Sequence, residues 1–123
     1  MLSPIATVLL VALVEWTTSS SSSCDPHLLD LCPRCCAMLF SNYDCDIKEV
    51  LRLKVNGNGV LGAIWDDAPV AAIVRSGCLL ELWDFRNQTG SHRSFGLDGY
   101  EIYQFDRYGF ESVASSARCT CIK

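Results

Sequence analysis

The sequence predicts a mostly β protein: a small, disulfide-stabilised antiparallel β-sandwich with a short N-terminal helix. Three observations predict it. All eight cysteines lie at or beyond Cys24, a density typical of small disulfide scaffolds. From Ile47 onward, short apolar stretches alternate with Gly, Asn, Asp and Pro turns at the spacing of a sandwich or small barrel. A chain of 123 residues has core enough for one domain, or for two small modules sharing a core. The alternative is an α+β sandwich, with a full helix at the start of the domain covering a single sheet.

Residues 1–23 read as a secretory signal peptide. The uncharged apolar run from Pro4 to Val14 ends at Glu15, well short of the roughly 20 residues that cross a bilayer. Small residues follow, and cleavage is expected between Ser19 and Ser23. That leaves 24–123 as one cysteine-rich domain, expected to be secreted and extracellular with no transmembrane anchor.

Asp25 is placed to cap a helix whose first position is Pro26, where a missing N–H costs nothing. Leu28, Leu29 and Leu31 give it an apolar patch, and Pro33 stops it. The run Cys35 to Phe40 is apolar throughout and suits either a second turn or a strand. Val50 to Val55, with Arg52 and Lys54 interleaved, reads as a half-buried strand. Asn56-Gly57-Asn58-Gly59 then predicts a tight hairpin, and Val60 to Trp65 its returning strand. Asp66 to Pro69 is a turn, Val70 to Val74 a strand, and Ser76-Gly77 another turn. Cys78 to Phe85 has the clearest alternation, with Leu80, Leu82 and Asp84 on one face and Leu79, Glu81 and Trp83 on the other. Arg86 to Gly90 is a loop, and short apolar pieces continue to Cys121.

In an oxidising compartment Cys24, Cys32, Cys35, Cys36, Cys45, Cys78, Cys119 and Cys121 are expected to pair completely. The spacing limits the pairings without choosing among them. Adjacent Cys35 and Cys36 require different partners. Cys119 and Cys121 would lie about 6.6 Å apart along a strand, too far for a direct bridge. A Cys78–Cys119 pairing is one way to staple the C-terminus and would contribute roughly 4 kcal/mol. Zinc binding or redox catalysis by Cys32-Pro33-Arg34-Cys35 is disfavoured by the oxidising setting and by the cysteine that follows at once.

The stretch from Ser76 to Cys119 resembles a Greek-key motif of the βγ-crystallin superfamily. Trp83, Asp84 and Gly90 fit its aromatic–acid–glycine opening, Ser91 or Ser94 its packing serine, and Tyr100, Phe110 and Ser115-Ser116 its close. Gln88 stands where a second hairpin aromatic belongs. A weaker copy precedes it, with Phe40 as first aromatic, Trp65-Asp66-Asp67 as closing turn and Ile47 in place of the glycine. The resemblance implies a crystallin-type domain over about 36–119. It also implies calcium binding by paired loops of acids and hydroxyls, since calcium takes a shell of hard oxygens. The matching segments are Asp66 to Ala71, which lacks the hydroxyl pair, and Glu111 to Ser116, which has a single acid. Asp66, Asp67, Glu111 and Ser115 are therefore weak calcium candidates, and no other cofactor is expected.

A net charge of -4 argues against nucleic acid or an anionic membrane as partner. Aromatics crowd the segment from Trp83 to Phe110, more than one small core readily holds. The loop from Arg86 to His92, with Arg93, Tyr103 and Tyr108, is thus the expected protein-recognition face. Asn87-Gln88-Thr89 is a glycosylation sequon in that loop. His92 with Asp84, Asp98, Ser91 and Ser94 makes a triad only on paper, and the carboxylates of Glu81, Asp84, Glu101 and Asp106 have little room for a substrate groove. The expected function is a non-enzymatic, secreted binding protein of effector, toxin or defence type acting on an extracellular or host protein. The alternative is a structural or weakly calcium-binding βγ-crystallin-like module.

Overall fold

The computed structural model describes residues 24–96 and 100–122, so the predicted signal peptide and Asp98 lie outside the described residues. Asp25 accepts a 2.9 Å hydrogen bond from the His27 amide and caps a 3-10 helix, Pro26–Leu31. Eight strands follow: β1 (Cys35–Phe40), β2 (Val50–Lys54), β3 (Gly57–Val60), β4 (Ala71–Val74), β5 (Cys78–Trp83), β6 (His92–Phe95), β7 (Ile102–Gln104) and β8 (Ser116–Cys121). They form two antiparallel four-stranded sheets, ordered β2-β1-β4-β7 and β3-β8-β5-β6. The helix is a single short element and the domain has two sheets, so the sandwich stands and the α+β alternative falls.

β1 to β4 make one Greek key and β5 to β8 another. In each key the third strand crosses to the other key's sheet: β3 pairs with β8, and β7 with β4. The tight hairpin expected at Asn56 to Gly59 is therefore a crossover. The turn forms, with Asn56 at φ 64°, but its two flanking strands lie in different sheets. Turn residues determine where a chain reverses, whereas the partner of the next strand is a tertiary matter. The returning strand also ends early, at Val60, because the chain turns from Ala63 to Asp67 instead.

β1 resolves its own ambiguity. Cys36, Ala37 and Leu39 enter the core between the sheets, while Cys35, Met38 and Phe40 pack under the N-terminal segment with Leu29. A strand covered on both faces needs apolar residues at every position. β4 is built alike, with Ala72 and Val74 inward and Ala71 and Ile73 under the same cover. Arg75 fastens that cover: Nε donates to the Cys35 carbonyl at 2.7 Å, and Nη2 to those of Cys32 and Leu29 at 3.0 and 3.3 Å. It satisfies carbonyls at the end of the short helix, where orphan acceptors collect.

β5 follows the predicted alternation, with Cys78, Leu80 and Leu82 buried and Leu79, Glu81 and Trp83 half-buried. Asp84 lies beyond the strand. Its inward face meets Phe95, Tyr103, Phe105 and Phe110 in the main core.

All eight cysteines are paired. The bridges are Cys24–Cys45, Cys32–Cys35, Cys36–Cys119 and Cys78–Cys121. Cys35 and Cys36 have different partners, as do Cys119 and Cys121. The Cys78–Cys119 staple is corrected: Cys78 sits directly across the ladder from Cys121, while Cys119 reaches across the core to Cys36. The sulfurs of Cys36, Cys78 and Cys121 lie within 4.8 Å of one another, but each is oxidised and offers no thiolate to a metal.

Candidate functional site

The two keys present the same backbone signature at corresponding places. Cys45 and Gln88, in the hairpin loops after β1 and β5, take left-handed φ values of 56° and 61°. Asp67 and Ser112, in the loops that lead into β4 and β8, take 60° and 57°. On this correspondence Phe40 matches Trp83, Tyr43 matches Arg86, Ile47 matches Gly90, and Asp66 matches Glu111.

The second hairpin loop is closed by hydrogen bonds. The Ser91 amide donates to Asp84 Oδ1 at 2.8 Å, and the Asp84 amide to the Ser91 carbonyl at 3.0 Å. Gly90 has φ 88°, and a Cβ there would stand 2.1 Å from Asp84 Oδ1 and 2.8 Å from the Phe85 ring. Only glycine fits both the conformation and the space. Gly90→Ala is expected to lower stability by about 2–3 kcal/mol, read by urea denaturation against a Gly62→Ala control, whose Cβ would meet nothing within 4 Å.

The loop is tied to β8 by a serine other than the expected Ser91 or Ser94. Ser116 Oγ donates to the Phe85 carbonyl at 2.6 Å and accepts from the Gln88 amide at 3.0 Å. Gln88 Nε2 also donates to the Ala117 carbonyl at 3.1 Å, which is what this side chain does in place of an aromatic. In the first key Ala71 matches Ser116 and has no hydroxyl. The Cys24–Cys45 bridge holds that loop instead, while Asn42 Oδ1 accepts from the amides of Asp44 and Asp46.

The loops expected to bind calcium face each other. The Asp67 amide donates to the Ala114 carbonyl at 2.9 Å, and the Ser112 amide to the Pro69 carbonyl at 3.0 Å. Across this pair Ser115 Oγ donates to Asp67 Oδ1 at 3.3 Å. Asp66 Oδ1 is buried and has no hydrogen-bond partner among the described residues, while its Oδ2 lies 3.5 Å from Arg86 Nη2. Asp67 and Ser115 thus bring hard oxygens together on one side, with Asp66 the next residue in the chain. On the other side Glu111 accepts a hydrogen bond from the Tyr43 hydroxyl, and Val70 matches Ser115 without a hydroxyl. Burial, then the hydrogen bond to Glu111 and the nearby carboxylates of Asp106 and Glu111, push the Tyr43 phenol up to about 12.

Of the expected recognition residues, Arg86, His92 and Tyr108 are exposed, Arg93 is half-buried and Tyr103 is buried. Tyr103 is 2% exposed, its ring packs on Phe95 and Tyr108, and its hydroxyl donates to the Tyr100 carbonyl at 2.9 Å. Arg93 lies over the Phe110 ring and donates through Nε to the Tyr108 carbonyl at 3.1 Å. His92 stacks on Trp83, with Nε2 3.4 Å from Glu81. Glu81 also accepts from Arg118 at 2.9 Å, and the Arg118 guanidinium sits over Trp83. Ser94 Oγ approaches the same ring nitrogen of His92, Nε2, at 3.5 Å. A catalytic histidine needs its two nitrogens for separate partners, so among the described residues His92 forms no triad. Asn87 is exposed and its side-chain oxygen accepts the Thr89 hydroxyl.

No protein-family model and no curated protein matches the sequence. The fold, however, has solved counterparts. A βγ-crystallin from an archaeon superposes with a TM-score of 0.55 at 15% identity, covering 67% of this chain and 93% of its own. A βγ-crystallin domain from Clostridium beijerinckii gives 0.54 at 15%, covering 69% and 97%. The βγ-crystallin domain of Abundant Perithecial Protein from Neurospora crassa, solved in its Ca2+-bound form, gives 0.58 at 12%, covering 73% and 92%. The chain has the βγ-crystallin fold. That likeness overturns the effector, toxin or defence reading, and the glycoprotein label attached to it, in favour of the crystallin-like alternative. Among the described residues no helix is long and apolar enough to cross a membrane.

Proposed function

We propose that this protein is a structural module of βγ-crystallin type, locked by disulfides and carrying one weak calcium site at its paired loops. The observation that carries the reading is Asp66 Oδ1, buried without a hydrogen-bond partner among the described residues, one residue before the Asp67 that meets Ser115. A carboxylate oxygen withdrawn from water without a donor is costly, and a hard divalent cation relieves that cost. Asp66, Asp67 and Ser115 would hold the ion, and the Ca2+-bound Neurospora domain of the same fold supports the assignment. Bound calcium supplies charge neutralisation between two loops and hence rigidity. The ligand set is sparse, because Val70 and Ala71 lack hydroxyls and Glu111 is engaged by Tyr43.

Calorimetric titration of metal-stripped protein is expected to show a dissociation constant of about 10⁻⁴ M or weaker, with the signal lost in Asp66→Ala. Binding indifferent to Asp66 and Asp67 would remove this site, whereas micromolar binding lost in Asp66→Ala would keep it and overturn its weakness. Four bridges also need an oxidising compartment to form, which supports export as the route to the mature domain. Sequencing the N-terminus of protein recovered from the medium of a secretory cell is expected to find a start between Ser20 and Cys24, and an intact Met1 there sinks that part.

A further inference from the structure

We propose that Arg86 is a built-in counter-cation for the calcium loops, occupying the Asp66 carboxylate in the metal-free domain and setting how weakly calcium binds. The proposal rests on the calcium reading above and adds what regulates that site. The two hairpin loops send matched side chains to the first acids of the opposite pair of loops: Arg86 to Asp66, and Tyr43 to Glu111. Both contacts join distant parts of the chain, and both engage the first acid of a loop, which for Asp66 is followed directly by a second, Asp67.

The two clasps differ in chemistry. Tyr43 gives a neutral hydrogen bond, and its phenol, raised to about 12, stays a donor at physiological pH. It serves a loop whose matching position, Val70, has no hydroxyl to complete a metal site. Arg86 brings a full positive charge to the oxygen-rich side. Its side chain is 63% exposed and it reaches only one oxygen of Asp66, at 3.5 Å. Such an exposed pair is weak and readily displaced. A guanidinium also cannot lose its charge, so calcium entering the loops must either expel it or bind against its repulsion. The buried Oδ1 of Asp66 stays unserved by Arg86, which leaves the site an attraction for calcium that the clasp diminishes without abolishing.

The test is calorimetric titration with calcium chloride of metal-stripped wild type, Arg86→Gln, Arg86→Lys, Tyr43→Phe and Asp66→Asn, with melting temperature with and without calcium as second readout. Removing one unit charge near the ion at an exposed site is expected to tighten binding about tenfold in Arg86→Gln. Arg86→Lys, which keeps the charge, and Tyr43→Phe are expected to stay within about twofold of wild type. The calcium-dependent rise in melting temperature should follow the same order, while melting without calcium hardly changes in Arg86→Gln. Binding that is unchanged in Arg86→Gln yet lost in Asp66→Asn overturns the counter-cation role and leaves the calcium site standing. Equal tightening in Tyr43→Phe overturns the assignment to Arg86. Absence of any calcium signal up to millimolar concentration, in wild type and Arg86→Gln alike, removes the site and the clasp together.

Discussion

Replacing Cys36 and Cys119 together by alanine is expected to lower the free energy of unfolding by about 4–5 kcal/mol. Their bridge spans 83 residues of sequence, the longest loop closed in this domain, and a longer closed loop removes more freedom from the unfolded chain. Both residues are fully buried between the sheets, so the double variant also leaves a gap that neighbouring side chains fill only in part. Guanidinium denaturation monitored by tryptophan fluorescence measures the loss. The matched control is the Cys32/Cys35 pair, separated by 3 residues, whose removal is expected to cost about 1–2 kcal/mol on the same account. Equal losses for the two pairs would show that loop length is not what matters.

The second large effect is expected from Phe95→Ala, at about 3–5 kcal/mol. Phe95 is 1% exposed and touches three rings: Phe105 at 4.9 Å, Tyr103 at 5.1 Å and Tyr108 at 5.2 Å between centroids. Removing it opens a cavity where β6 of one sheet meets the residues of and just after β7 from the other. Phe95→Leu keeps most of the volume and is expected to cost about 1–1.5 kcal/mol. If Phe95→Ala costs no more than Phe95→Leu, the ring cluster is not the hinge of the core that its geometry indicates.

Much of the fold is legible locally. The alternation of Cys78 to Trp83 survives because one face of β5 meets the core and the other is half-open. The cap Asp25 and the stop Pro33 both act within a few residues of themselves. What local pattern does not carry is the partner of a strand. Asn56 and Gly57 turn the chain whether the next strand pairs with β2 or leaves for β8. The aromatic crowding between Trp83 and Phe110 is a true signal that does not say which rings are buried. Two sheets sandwich Phe95, Tyr103, Phe105 and Phe110, while Phe85, Tyr100 and Tyr108 stay exposed. The acids of the candidate calcium loops are visible in the sequence, but their clasps are not. Arg86 and Tyr43 reach Asp66 and Glu111 only because the keys interleave, and Ser116 replaces Ser91 and Ser94 because β8 pairs directly with β5.

That interleaving has a consequence for how copies of this chain relate to one another. Each key lends a strand to its neighbour's sheet, so the same surfaces that join two keys within one molecule would serve equally between two molecules that exchanged halves. Three of the four bridges stay within a single key, and only Cys36–Cys119 joins one key to the other. Once that bond closes inside a chain, its halves can no longer be traded with another copy. A cut at the exposed Ser76-Gly77 connection would likewise leave one covalent molecule, its two halves still fastened through the middle of the core.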